Sequence, residues 1–586
     1  MLNNEDFRDK FPEIFMLFKK IYYMKKLILL LNVLFAFAIA ANAVPAKKGQ
    51  KRLLTLANGE KIEAELVGDE FLSYWLSEDG VAYQYDANTD TYATFDLEAS
   101  FERADKLRAQ RDKDNDTRRA KMRKVVIGGE HIPFTGSQRC LVILVGYQDV
   151  PFGTSIAKMQ GMINGPLTGV IQKKLYPGTV KQYFHDQSNG KFDLDFDVVG
   201  PFTLSQTQAY YGGDVGNNKD VNILQMISEA VRAADDSGVD FSIYDWDKDG
   251  EVEMVYVIYA GEGQAAGGGD NTVWPHKFSL GSKAIGADGV VVNTYACSSE
   301  LQENALGSGT RTAGIATICH EFSHCLGLPD FYDTRYSGNF GMSNWDLMAG
   351  GTYNGNGYYP PNYSAYEKWY IGWHQPIELT KPTTITNMKP NGAVNGDSNC
   401  ESYIIYNDEN RNEYYILENR QVAHSNVWDK ELPGSGLMIQ HNDFDPLYWK
   451  YNVLNSTITS GSLKNDHQRG TIFRANNSKS DEAKATDLYP ANGNTELTDA
   501  SSPAAILYQG TKGKMGKPIT EITQNADGTI SFKFMGGTDP TGIENIEQSD
   551  ETVNSAIYSI DGIYMGTDAS QLPQGIYIVN GKKIVK

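Results

Sequence analysis

The sequence predicts a mixed α/β (α+β) central region followed by a β-sandwich, with a small β-rich segment ahead of both. Changes of residue periodicity predict it. Residues 141–147 and 254–259 are apolar, β-prone runs, whereas Val221, Leu224, Ile227 and Val231 recur at helical spacing and are expected to be core. From about Pro376 to Phe534 the pattern becomes short alternating segments, such as 414–418 and 436–440, separated by Gly, Asn and Asp turns. Residues 63–67 and 81–85 alternate in the same way near the amino terminus.

These shifts divide the chain into residues 1–43, 44–127, 128–375, 376–536 and 537–586. In the first, Met24-Lys25-Lys26 precedes an apolar run at 27–40 and then Ala41-Asn42-Ala43, a small-x-small pattern suited to signal peptidase cleavage before Val44. The true start is placed at Met24, and the chain is expected to be exported and to be secreted or held at the cell surface. The run is too short for a transmembrane helix, and no later stretch reaches about eighteen consecutive apolar residues, so no membrane insertion is expected.

Residues 44–127 begin as strands and pass, from 97 to 124, into a charged run with Arg118-Arg119 and Arg123-Lys124 that reads as a solvated, protease-sensitive linker. A propeptide that keeps a peptidase latent is expected here; a permanent accessory domain is the alternative. The segment has no cysteine, which excludes latency through a metal-bound thiol.

With 586 residues, 41% apolar and 11% aromatic, the chain is long enough to fold several cores. A net charge of −20 argues against nucleic acid and anionic membrane as partners, since both would repel such a surface. A monomer acting on protein or peptide substrates is expected. Five cysteines (Cys140, Cys297, Cys319, Cys325, Cys400) are too few for a disulfide scaffold, and there is no C-x-x-C.

The chemistry is concentrated in His320-Glu321-Phe322-Ser323-His324-Cys325-Leu326-Gly327-Leu328-Pro329-Asp330, an H-E-x-x-H-x-x-G-x-x-D array. Positions i and i+4 lie on one helix face, so both imidazoles can meet one zinc ion, and Glu321 stands one residue round, where it can take a proton from a water polarised by the metal. Gly327 can take the left-handed conformation that ends the helix and returns the chain, which lets Asp330 reach the metal. Nearby Asp333 competes for that role. Two imidazoles and one carboxylate leave a fourth tetrahedral position open, the pattern of a catalytic site. Cys319 and Cys325 flank the helix off the ligand face and read as packing.

Met348, in Asn344-Trp345-Asp346-Leu347-Met348-Ala349-Gly350-Gly351, is followed by a Gly pair that forces a tight turn. Zinc peptidases of the metzincin group place such a turn under the metal. With its Gly-Leu-Pro-Asp-Phe-Tyr-Asp continuation, the stretch 320–333 resembles the immune inhibitor A-like family of secreted metallopeptidases. Similar segments include 141–150, Tyr183-Phe-His-Asp-Gln-Ser-Asn-Gly-Lys-Phe, 245–276 and Tyr415-Ile-Leu-Glu-Asn-Arg, so the resemblance covers roughly residues 135–535. It implies a metzincin-like fold, zinc ligands at His320, His324 and Asp330, and Glu321 as general base.

Further features lie elsewhere along the chain. Asp245-Trp246-Asp247-Lys248-Asp249-Gly250-Glu251-Val252-Glu253 reproduces the first half of a calcium loop, although Tyr256 occupies the position where an EF-hand carries Glu. Asp245, Asp247, Asp249 and Glu253 are its expected ligands, in a structural role. The glycine-rich stretch 261–270 reads as a mobile loop near the cleft, and Tyr353 is a weak candidate for holding an oxyanion. His441, beside Asp443 and Asp445, is expected to be a satisfied histidine. After the linker at 537, the tail ending in 572–586 is similar to C-terminal sorting domains of type IX secretion, which implies an outer-membrane secretion machinery as partner.

The expected function is therefore a secreted zinc-dependent endopeptidase made as a zymogen. A surface-binding protein that retains the fold, or a zinc hydrolase of non-peptide bonds, is the alternative.

Overall fold

A computed structural model describes residues 44–107, 134–168, 170–214, 219–304, 308–392, 401–459 and 463–537, together with four short strands of the tail. The signal-peptide stretch, the dibasic linker sites, Cys400 and the tail linker lie outside the described residues. The chain forms two compact units, Met1–Gly537 and Thr538–Lys586.

The central sheet has the order His276–Ser279, Thr294–Glu303, Val255–Glu262, Gly136–Gly146, Phe192–Thr203, with Thr310–Thr312 paired to Thr294–Glu303. The four longest strands run parallel, and the two short ones are antiparallel edges. Parallel strands covered on both faces need continuous apolar runs, which 141–147 and 254–259 supply. Side chains alternate along a strand, so Cys140, Val142 and Leu144 enter one core while Leu141, Ile143 and Val145 enter the other. The helix Ile223–Asp236 closes the second core through Leu224, Ile227 and Val231. Val221 precedes this helix and is 37% exposed, so the helical spacing carried the core assignment one turn too far.

The helix Ala316–Cys325 lies in the first core, buried through Ala316, Ile318, Cys319 and Phe322. Met348 belongs to the same core and is fully buried. None of Cys140, Cys297, Cys319 and Cys325 is in a disulfide; Cys319 lies in the first core and Cys325 packs against it, as expected for the two that flank the helix.

Between 376 and 537 the described residues form two sheets. One has the order Ile377–Glu378, Ser402–Tyr406, Glu413–Arg420, Gly436–Asp443, Gly470–Ile472; the other is Thr383–Met388, Ile530–Phe534, Ile519–Gln524. They share a core of Ile405, Leu417, Ile439, Ile522 and Phe532. The other face of the larger sheet, through Ile404, Ile416 and Met438, packs into the core that holds the His320 helix, so this region braces the centre of the molecule instead of standing free.

Residues 44–107 form a five-stranded antiparallel meander, Lys51–Thr55, Lys61–Gly68, Ser73–Ser77, Ala82–Asp86 and Thr91–Thr94, followed by helix from 97 to 107. The charged run that begins at 97 is thus helical over its described part. In the second unit the order is Tyr564–Gly566, Ile557–Ser559, Ile576–Val579, Lys582–Val585. Among the described residues no helix is long and apolar enough to cross a membrane.

One buried charge joins the bracing sheet to the centre. Arg420 makes a bidentate pair with Asp429, 2.7 and 3.0 Å, and donates to the carbonyl oxygens of Trp345 and Asn362 at 3.3 and 3.1 Å. Removing one partner strands the other charge away from water. Arg420→Met is expected to destabilise the fold by about 3–5 kcal/mol, read from the urea midpoint; a loss below about 1 kcal/mol would contradict this.

Candidate metal centre

The helix Ala316–Cys325 ends where the sequence says it should. Gly327 has φ +95°, its N–H donates to His324 O at 3.1 Å and Leu328 N donates to Ser323 O at 3.3 Å, a Schellman cap that turns the chain back. Three residues on, Asp330 faces the helix.

His320 Nε2 and His324 Nε2 are 3.2 Å apart, and Asp330 Oδ1 is 3.1 and 3.4 Å from them. All three side chains are buried. Each Nδ1 lies 2.8 Å from a backbone oxygen, His320 on Leu347 and His324 on Leu328. A carbonyl only accepts, so both Nδ1 atoms carry hydrogen, and in neutral rings both Nε2 lone pairs point at one another and at a carboxylate oxygen. Among the described residues no donor meets Asp330 Oδ1 in good hydrogen-bond geometry. Three acceptors converging out of water repel unless a cation lies between them. A tetrahedral zinc site with bonds of about 2.0–2.1 Å has ligand-to-ligand edges of roughly 3.3–3.4 Å, which these separations match. The residues present fit a metal ion.

Without a metal, only a proton relieves the cluster. Burial disfavours charge on His320, but Asp330 and Glu321 outweigh it and hold the ring up at about 9. For His324, burial prevails and the pKa falls. Metal binding displaces that proton.

The supports of the cluster come from far along the chain. Leu347, whose carbonyl orients His320, sits in the turn that ends at Met348; Asp346 Oδ1 accepts from Met348 N at 2.7 Å, and Met348 O accepts from Phe331 N at 2.6 Å. The turn therefore fixes both the first histidine and the chain leading out of Asp330. Asn452 donates through its amide to Asp330 Oδ2 at 2.5 Å, and its oxygen accepts from Asp330 N at 2.6 Å. Sequence reasoning missed Asn452, which lies 122 residues away and carries no motif. Asp333, the rival third ligand, is a turn residue: it accepts from Arg335 N, Ser337 Oγ and Asn339 N.

Glu321 is buried beside the triad, and burial pushes its carboxyl up to about 8. Its Oε1 accepts from Val44 N at 2.9 Å, while Oε2 has no hydrogen-bond partner among the described residues. Val44 brings the amino-terminal segment into the centre. Trp274 Nε1 donates to Val44 O at 3.0 Å, Tyr353 OH to Pro45 O at 2.6 Å, and Lys47 N to Ala265 O at 2.8 Å. The stretch 261–270, expected to be mobile, is instead the seat of the meander: Asp270 pairs with Arg52 at 2.5 Å and accepts from Tyr92 OH at 2.6 Å. Tyr353, the oxyanion candidate, donates to this segment.

Asp245, Asp247 and Asp249 also gather their carboxylates into one cluster, with Gly250 at φ +92°. Glu253 lies outside that group, with Oε2 accepting from Trp246 N at 2.7 Å. His441 is satisfied, as expected: Nε2 meets Glu413 Oε1 at 2.8 Å and the ring stacks on Phe473 and Tyr508. Asp443 pairs with His467 and Arg469, and Asp445 caps a helix.

Residues 147–375 match the catalytic domain of the immune inhibitor A peptidase M6 family. The chain carries an M6 peptidase domain. Over 213 residues it is 30% identical to immune inhibitor A of Bacillus thuringiensis subsp. alesti, covering 32% of this chain and 31% of that protein. Over 216 residues it is 27% identical to the pre-pro-metalloprotease PrtV of two Vibrio cholerae serotype O1 strains, covering 33% of this chain and 23% of PrtV. The chain thus spans less than a third of the length of the curated relatives it matches. The M6 domain contains the whole triad and Met348, and a metallopeptidase family implies a metal. The match stops short of the bracing sheets and of Asn452.

A hydrogen-bonding partner of a metal ligand typically contributes 10- to 100-fold in metal affinity. Asn452→Gly tolerates the residue's φ of +54° but removes the amide, and is expected to weaken metal binding by about that factor in competition with a chelator. Unchanged affinity would contradict the role given to Asn452.

Proposed function

We propose that this chain is an exported zinc-dependent endopeptidase that hydrolyses peptide bonds of extracellular proteins and is made as a zymogen. The observation that carries the proposal is the buried triad of His320, His324 and Asp330 with the Glu321 carboxylate next to it. His320, His324 and Asp330 would hold the ion. Zinc bound there supplies Lewis acidity, polarising a scissile carbonyl and lowering the pKa of water towards neutrality.

The remaining chemistry falls to Glu321. Its carboxylate takes a proton from the attacking water and passes it to the leaving nitrogen. The hydrogen bond from Val44 N to Oε1 supports the second step, because it places a peptide nitrogen within proton-transfer reach of the carboxylate. Burial that raises its pKa suits a group that must both accept and release a proton near neutrality. Two observations favour peptidase over the alternatives. A surface binder has no use for a buried carboxylate with an oxygen that has no partner among the described residues, and Trp274 and Tyr353 donate to the backbone of the segment that meets Glu321.

The zymogen reading rests on residues 44–107, which lie over the centre through Val44, the Arg52 pair with Asp270 and Tyr336 OH on Gly68 O. One relative's name, pre-pro-metalloprotease, describes such a precursor. We assign residues 44–127 as the propeptide, 128–375 as the peptidase, 376–536 as its brace and 537–586 as a linker with a sorting tail. The Asp245, Asp247 and Asp249 cluster takes a structural calcium ion in this scheme.

Glu321→Ala should retain its zinc and lose hydrolysis of an unfolded protein by about 10²–10⁴-fold, measured with metal content alongside. Activity within a few fold of wild type at full zinc would contradict the mechanism. A calcium chelator too weak to strip zinc should lower the melting temperature, and an unchanged transition would remove the calcium assignment.

A further inference from the structure

The position of Val44 carries more than steric cover. Residues 44–47 pass beside the centre, and four of their backbone groups are met by the M6 domain: Val44 N by Glu321, Val44 O by Trp274, Pro45 O by Tyr353, Lys47 N by Ala265. Lys47 Nζ adds a bond to Asn356 Oδ1 at 2.9 Å. Val44, Pro45 and Ala46 are buried, with Val44 and Ala46 in one apolar cluster with Ala265 and Trp274. This is how a bound peptide is held.

The sequence independently places a signal peptidase cut between Ala43 and Val44. Hydrolysis there adds one water, its hydroxyl to the Ala43 carbonyl carbon and its hydrogen to the Val44 nitrogen, leaving a carboxylate and an α-amine. We infer that residues 44–47 then occupy the cleft as a cleavage product would, with the freed Val44 α-amino group where a leaving amine would stand, so that the processed amino terminus is itself the inhibitory element. The inference rests on the peptidase reading of the site.

One fact favours an amine at this point over an internal amide. An amide offers one hydrogen, which Oε1 uses, whereas Glu321 Oε2 is a second buried acceptor with no partner among the described residues. An amine has hydrogens for both. The contact also engages the one carboxylate that hydrolysis requires, so the segment blocks the chemistry as well as the space.

The test uses the chain from Val44 to Lys586, loaded with zinc, with Val44 as its first residue. Acylation of the Val44 amine by a water-soluble active ester is followed by mass spectrometry of the amino-terminal peptide, and hydrolysis of a fluorogenic peptide is measured on the same samples. The amine of the wild-type chain is expected to react at least tenfold more slowly than that of Glu321→Ala, and a chain beginning at Lys48 is expected to be at least tenfold more active than the Val44 chain. Equal acylation rates overturn the contact, and equal activities overturn its inhibitory role. If no form hydrolyses peptides, the peptidase reading fails while the acylation rates still decide whether the amine is held by Glu321.

Discussion

The structure depends on an electrostatic requirement at its centre. Two imidazole nitrogens whose hydrogens are committed elsewhere and a carboxylate oxygen meet within 3.4 Å, out of water, and only a cation makes that arrangement favourable. Everything near them serves to hold that convergence. The helix supplies the two histidines at one-turn spacing, the Gly327 cap swings Asp330 back, the Met348 turn fixes one ring, and Asn452 fixes the carboxylate. A short helix would not place three ligands this closely unaided. The precision comes from groups bonded to the ligands and from the aromatic and aliphatic core beneath them.

How much of this was legible in the sequence follows from the range of each interaction. The spacing of His320 and His324 is local, so it could be read directly, and so could the role of Gly327, because a chain that must return to its own helix needs a residue at ease with positive φ. The parallel sheet was legible from apolar runs. The choice between Asp330 and Asp333 was open, since both lie within a few residues of the cap and their fates are set by partners elsewhere: Asn452 for the first, the 335–339 turn for the second. The same reason hid Asn452 itself. A single amide 122 residues away leaves no local pattern.

Two misjudged features share a cause. Val221 continues a helical spacing, but the helix starts only at Ile223, and periodicity alone does not mark the first turn. The stretch 261–270 has the glycine content of a mobile loop, yet Asp270 within it binds Arg52 and Tyr92 of the amino-terminal meander. Composition describes what a segment would do alone, and here a second part of the chain docks on it. The 376–536 region shows the reverse: its strands were legible, whereas its role as a brace was not, because that depends on Arg420 reaching Trp345 and on Ile404, Ile416 and Met438 entering the neighbouring core.

The most direct test of the central claim is the X-ray absorption spectrum of the zinc-loaded chain. The account predicts one zinc per chain with a shell of nitrogen and oxygen only, at about 2.0–2.1 Å, and outer-shell scattering from two imidazoles. A sulfur shell at about 2.3 Å, which would bring Cys319 or Cys325 to the metal, or a chain that binds no zinc, would contradict it.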